Sequence, residues 1–212
     1  MKGLIVIPAR KGSKRLKNKN KKIFLKKPLI QHTIDFAKKI KLTSYVLVTT
    51  DDKDILNIAI KKAQGEIISI LHSDDRYYDE NVLYEVNRFF NLKKCDATYG
   101  DLIYLNNNKV FRYWKSNQFR KKSLLYGWMP PHPTLFLRRE TYHKMNYFDE
   151  SYKISSDYDF MIRFFKNPSY KIFYIPKTLV YMNTGGISNK SIINIIKKTF
   201  EDYRVIKKNN LM

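Results

Sequence analysis

The sequence has one cysteine in 212 residues, Cys95, so no disulfide forms within the chain and no thiolate metal site can be built. Acidic residues are scarce, 19 against 41 lysines and arginines, which leaves a formal charge of +22. No apolar run is long enough to span a bilayer; the longest near the start, Leu4 to Ile7, ends at Pro8. That start also lacks the pattern of a signal peptide, so the expected location is cytoplasmic, with the inner membrane face open to it. There is no zinc spacing, aromatic RNA-binding signature or basic helix joined to heptads. The excess charge therefore does not by itself indicate nucleic acid, and the expectation is no nucleic-acid partner. The same charge suits nucleotides and anionic lipid headgroups, so peripheral membrane contact is compatible with it.

What is present reads as one α/β domain over residues 1–212, with a mostly parallel central sheet. A hydrophobic fraction of 43% supports one ordinary core. Leu4 to Ile7 is a buried strand. Arg10 to Lys27 is a basic loop, and Pro28 opens a helix with Ile30, Ile34, Ala37 and Ile40 on one face. A second strand, Tyr45 to Val48, ends in Thr50-Asp51-Asp52, which caps a helix over residues 53–63. A third strand, Glu66 to Leu71, ends in His72-Ser73-Asp74-Asp75. The alternation of strand and helix predicts ligand chemistry at the carboxyl ends of the strands. Later segments read as strands over residues 97–105, 110–114, 134–137, 172–175 and 179–182. Helices are expected over residues 157–165 and 190–208, the last amphipathic and rich in Ile and Lys.

Three clusters carry candidate chemistry. Asp74 and Asp75 follow a buried strand, where paired carboxylates suit a hard divalent cation, Mg²⁺ or Mn²⁺, bridging a diphosphate; capping the next helix is the competing role. Arg10-Lys11-Gly12-Ser13-Lys14-Arg15 is a basic, glycine-containing loop after the first strand, suited to phosphates or simply solvated. Asp157 and Asp159 open a helix; either carboxylate could serve as general base, and a helix start favoured by the macrodipole is the plainer reading. His132, held between prolines, is a candidate acceptor or phosphate contact.

Two family resemblances run through these motifs. Ile7-Pro8-Ala9-Arg10, Gly12-Ser13-Lys14-Arg15-Leu16, Lys19-Asn20, Lys27-Pro28-Leu29-Ile30 and Val48-Thr49-Thr50-Asp51-Asp52 resemble the opening of the acylneuraminate cytidylyltransferases, the CMP-sugar synthetases, over about residues 2–57. The resemblance implies that Arg10, Gly12, Ser13, Lys14, Arg15 and Asn20 hold CTP phosphates; in the nucleotide-sugar reading Asp51 or Asp52 is expected on base or ribose. Lys11 and Lys26 stand where that family usually has glycine. From about residue 58 to 205 a second set is similar to the inverting GT-A glycosyltransferases: Ser73-Asp74-Asp75, Tyr99-Gly100-Asp101, Pro131-His132-Pro133-Thr134, Asp157-Tyr158-Asp159-Phe160 and Gly185-Gly186-Ile187-Ser188-Asn189. This implies a GT-A fold in which Asp74 and Asp75 bind metal and donor diphosphate and Asp157 is the base, with Asp159 as the alternative.

The leading expectation is a glycosyltransferase that uses a nucleotide-sugar donor and a sugar acceptor in surface polysaccharide synthesis. The alternatives are a CMP-sugar cytidylyltransferase using CTP, and an inactive nucleotide-binding remnant. Oligomeric state has no sequence signal.

Overall fold

A computed structural model describes residues 3–9, 18–39, 43–50, 52–71, 75–183 and 192–211. The chain falls into two compact units, Met1–Gly65 and Glu66–Met212.

In the first unit, β1 (Gly3–Pro8) and β4 (Thr43–Thr49) pair in parallel, Ile7 opposite Val48 and Pro8 opposite Thr49. Between them lie a hairpin, β2 (Ile23–Phe24) and β3 (Lys27–Pro28), and helix α1 (Leu29–Lys39). The hairpin turn, Leu25 and Lys26, has φ of 45° and 66°, the mirror-image turn that favours Asn-Gly. Lys26 thus occupies, with a Cβ, a backbone position suited to glycine. The segment expected as a bare loop up to Lys27 therefore contains this hairpin and a short 3₁₀ turn at Lys19–Lys21. Helix α1 buries Ile30, Ile34 and Ala37, spaced four and three apart on one face. Helix α2 (Lys53–Lys62) starts at Asp52, whose carboxylate accepts the Asp54 N–H at 3.1 Å. Ile55 from α2 joins Ile7, Ala9, Ile30, Ile34 and Ala37 in a small aliphatic core.

In the second unit a six-stranded sheet has the order β5 (Ile67–Ser69), β9 (Phe136–Arg138), β7 (Ala97–Asn106), β10 (Ile172–Asn183), β6 (Arg76–Tyr77), with β8 (Lys109–Trp114) also on β7. The ten-residue β7 meets β9 with its first residues and β8 with its last, so one side of it is shared by two strands. The α/β class holds, but strand direction is more mixed than a mostly parallel sheet. Of the pairs in this sheet only β7 with β10 is parallel. The cause is connectivity: β8 returns through a tight turn at Asn107 and Asn108, both at positive φ, and can only pair antiparallel. Because β9 runs against both β5 and β7, those two and β10 still point the same way. β5 belongs to this sheet, not to the β1–β4 pair.

The region expected as two strands, 172–175 and 179–182, is one strand, β10, with register shifts around Thr178. Gly100 is required beside that irregularity: a Cβ there would stand 2.5 Å from Leu179 Cγ and 2.9 Å from the Lys177 carbonyl. Helix α3 (Val82–Lys93) sets Val82, Val86 and Phe90 against Leu102, Phe136, Ile175 and Val180. Helix α5 (Ser156–Lys166) is almost wholly buried; Phe160 stacks on Tyr142 of α4 (Arg139–Lys144) at 5.0 Å, and Phe165 meets Tyr99, Phe119 and Trp128 edge-on. Helix α6 (Ile192–Lys208) follows β10.

Candidate functional site

Asp75 directly precedes β6, whose Arg76 and Tyr77 face Tyr181 and Val180. Continuing that antiparallel register sets Asp75 beside Met182, which faces Tyr104 of β7, which faces Arg112 of β8. The four residues Arg112, Tyr104, Met182 and Asp75 therefore form one row across the sheet where β7 and β10 end. Side-chain electrostatics agree with this placement. Burial raises the Tyr104 phenol above its ordinary value, Arg112 pulls it down and Asp75 pushes it up. Arg112 also lies over the rings of Tyr104 (6.0 Å) and Trp114 (5.7 Å). Asp75 is buried at the carboxyl edge of the one parallel pair in the sheet, where open α/β sheets bind ligands. Arg112 and Tyr104 were not singled out from sequence. The signal available was the pair Arg112 and Trp114, two apart on one face of β8, which acquires meaning only once its partner strand is known.

Asp157 lies in the first turn of α5, half-buried, its carboxylate accepting the Tyr158 N–H at 2.9 Å. The approach to this turn is held from α6: the Glu201 carboxylate accepts the N–H groups of Lys153, Ile154 and Ser155 at 2.9, 2.7 and 2.8 Å, and the Ser155 hydroxyl donates to Asp202 at 2.6 Å. Asp159 sits one turn deeper and is fully buried. Arg163 donates to it at 2.7 Å and spends its other nitrogens on the carbonyls of Met145 (2.6 Å) and Tyr147 (2.9 Å). Asn209 approaches the second oxygen at 3.5 Å. Of the two carboxylates, Asp157 is the one that reaches solvent, and Asp159 ties α5 to the 145–147 turn.

His132 is buried in a short 3₁₀ turn, edge-on to Phe148 at 5.8 Å. The neighbouring Thr134 hydroxyl donates within hydrogen-bonding distance of the Gly100 and Pro131 carbonyls, at 3.0 and 2.8 Å, which fixes the proline loop to β7.

In the first unit, Thr50 donates to the Ala9 carbonyl at 2.7 Å and accepts the Asp52 N–H at 3.0 Å, tying together the carboxyl ends of β1 and β4. Asp52 is buried, caps α2 and pairs with Lys21 at 3.2 Å, while Lys21 also bonds Asp54. The Lys21 ammonium is raised, first by its hydrogen bond to Asp54. Asn20, in the adjoining 3₁₀ turn, is half-buried. Arg10, Gly12, Ser13, Lys14, Arg15, Asp51 and Asp74, together with the Gly185–Asn189 motif, lie outside the described residues. Among the described residues no group of three or more His, Cys, Asp or Glu side chains is arranged to hold a metal ion.

Comparison with known proteins gives matches of two kinds. The cytidylyltransferase family model matches residues 4–108, which takes in both the basic segment after β1 and Asp75. That reaches well past the end near residue 57 expected from the motifs. The CMP-N,N'-diacetyllegionaminic acid synthase of Legionella pneumophila is 35% identical over 114 residues, 53% of this chain and 48% of that protein. The PGL/p-HBAD biosynthesis glycosyltransferase of Mycobacterium bovis is 30% identical over 149 residues, 69% of this chain and 55% of that protein. The chain resembles both a cytidylyltransferase and a GT-A glycosyltransferase. In fold it is similar to S. aureus TarS 1–349, solved in complex with UDP, with a TM-score of 0.57 at 18% identity over 97% of this chain and 64% of that one. The chain spans about half the length of the curated relatives it matches.

Proposed function

We propose that this chain is a nucleotide-dependent transferase that moves a cytidylyl group from CTP to a sugar acid. One observation carries the reading: a single cytidylyltransferase match includes both the basic segment after β1 and the buried carboxylate Asp75. This reverses the order of preference taken from the motifs alone, because the match runs through a stretch that those motifs credited to glycosyl transfer.

In this reading Arg10, Ser13, Lys14 and Arg15, with the Gly12 backbone and Asn20, hold the triphosphate. Thr50 and Asp52 brace the ends of β1 and β4 beneath it. Asp75, with Asp74, takes a divalent ion. A buried carboxylate at a strand edge fits Mg²⁺, which commonly uses one or two protein carboxylates and completes its shell with phosphate oxygens and water. A divalent ion held by these carboxylates would supply positive charge to phosphate oxygens. A sugar hydroxyl gives up its proton to water as its oxygen forms the new bond to the α-phosphorus, the bond from that phosphorus to the bridging oxygen breaks, and pyrophosphate leaves.

Glycosyl transfer is the second reading. It is favoured by Asp157, the half-exposed carboxylate at the start of α5, and by the similarity over 69% of the chain to a glycosyltransferase. There Asp75 would face the donor diphosphate and Asp157 would accept the proton of the acceptor hydroxyl; Asp159, already bound to Arg163, serves poorly as a base.

The test is product analysis with Mg²⁺ or Mn²⁺. Release of pyrophosphate from CTP that depends on N,N'-diacetyllegionaminic acid or a related sugar acid supports the first reading. Release of UDP from UDP-GlcNAc supports the second. Neither product would favour the inactive nucleotide-binding remnant.

A further inference from the structure

Helix α6 has two unlike faces. Its inward face is polar and occupied. Glu201 takes three backbone N–H groups from residues 153–155, Asp202 accepts from Ser155 and pairs with Lys198, and Val205 is fully buried. Its outward face is apolar: Ile195, Ile196, Phe200 and Tyr203 each expose half or more of their surface. At 100° per residue these four fall within a stripe roughly 140° wide, the width of a face that ordinarily packs against something. Thr199 and Lys207, both exposed, lie within that stripe, and Lys197 and Arg204, also exposed, border it on one side. Glu201 and Asp202, the helix's acidic residues, are bonded to residues 153–155, and neither lies within the stripe, which carries no acidic side chain.

We propose that the outward face of α6 lies on the surface of an anionic lipid bilayer, with Ile195, Ile196, Phe200 and Tyr203 at the acyl boundary and the basic residues among the headgroups. Charge complementarity selects this occupant. A second copy of the chain would bring basic flank against basic flank. A soluble polyanion would satisfy the cations and leave four large apolar side chains in water. An anionic bilayer meets both needs at once, and the chain's charge of +22 adds long-range attraction. The helix lies on the membrane rather than through it: among the described residues no helix is long and apolar enough to cross. This inference is independent of which transfer the chain performs.

The test is co-sedimentation of the full chain with vesicles of phosphatidylcholine, with and without phosphatidylglycerol. Binding is expected to the mixed vesicles and to weaken as salt rises. The double variant Ile196→Ser, Phe200→Ser should bind about tenfold less or weaker still, from the lost apolar contact. Lys197→Glu, which leaves the apolar face intact, should bind about fivefold less. Circular dichroism identifies any variant that fails to fold; Lys197→Glu, at an exposed position, keeps the proposal testable if the double variant does. Equal binding of folded variants and parent overturns the proposal. So does a soluble dimer, seen by sedimentation equilibrium without lipid, that the serine variant dissociates.

Discussion

The two units keep their acidic residues in opposite ways. In the first, Asp52 caps the helix that begins at the next residue, and its ion-pair partner, Lys21, is shared with Asp54 in that helix's first turn. Its hydrophobic core is a few aliphatic groups. In the second, Asp159 is fully buried and bound by Arg163, which reaches two further carbonyls, and Glu201 binds a loop 46 to 48 residues away. Its core is rich in aromatic rings: Phe165, Tyr99 and Trp128 are in mutual contact, and Phe160 stacks on Tyr142. In the first unit the carboxylate's role is tied to the helix it starts, and in the second the carboxylates sit in networks that join separate segments. A carboxylate in a sequence motif can therefore be a cap, an anchor or a reactive group, and only its partners tell which.

The sharpest way to use this contrast is on Asp75, the carboxylate with a proposed chemical role. Asp75→Ala should lower turnover by about a hundredfold or more while leaving the denaturation midpoint close to the parent's. Steady-state rates and urea melts on the same preparation measure both. A large loss of stability with proportionate loss of rate would move Asp75 into the class of anchors.

Next in size is Asp159→Ala. Removing one member of a buried pair strands the other, and the expected loss is about 3 kcal/mol by urea denaturation. Asp52→Ala in the first unit, which removes a cap and a half-exposed ion pair, should cost about 1 kcal/mol. Equal losses would break the comparison between the units.

Smaller again is Lys26→Gly. Lys26 carries a φ of 66° in the hairpin turn, where glycine is free of the Cβ penalty, so the substitution should raise stability by about 1 kcal/mol. A loss would mean that the lysine side chain contributes more than its backbone strain costs.

The smallest effect concerns pH. The Lys208 ammonium donates to Asp149 at 2.8 Å and holds its carboxyl at about 2, below the ordinary 3.8. A depressed folded-state value gives stability that is present above about pH 4 and lost as pH falls toward 2. Lys208→Met should move the Asp149 titration, followed by NMR, back toward 3.8 and flatten that acid limb. An unmoved titration would assign the shift to the Ser151 N–H instead, which bonds the same carboxylate at 2.9 Å.

Much of the first unit was legible because its signals are short in range. Pro28 before an Ile30–Ile34–Ala37 face, and Asp52 before Lys53, mark helix starts that the structure reproduces to within a residue. The hairpin at Ile23–Pro28 was missed because Leu25-Lys26 is not a turn sequence by composition; its φ values are imposed by the fold. In the second unit, strands β7 and β8 and helix α5 follow their hydrophobic periods closely. Strand direction did not follow, since alternation of residues says nothing about which partner a strand takes. The break at Pro176-Lys177 read as the end of a strand, whereas the structure absorbs it as an irregularity packed on Gly100. The site was legible in part: Asp75 could be expected at a strand edge, but its row with Tyr104, Arg112 and Met182 depends on strands whose residues lie 29 to 107 positions away meeting in register.

The most direct measurement is equilibrium titration of the full chain, in the presence of Mg²⁺, with CTP and separately with UDP-GlcNAc. The account predicts that CTP binds the more tightly, that its affinity falls when the metal is chelated, and that Asp75→Ala weakens it by about tenfold. Binding of UDP-GlcNAc with no measurable binding of CTP would contradict it.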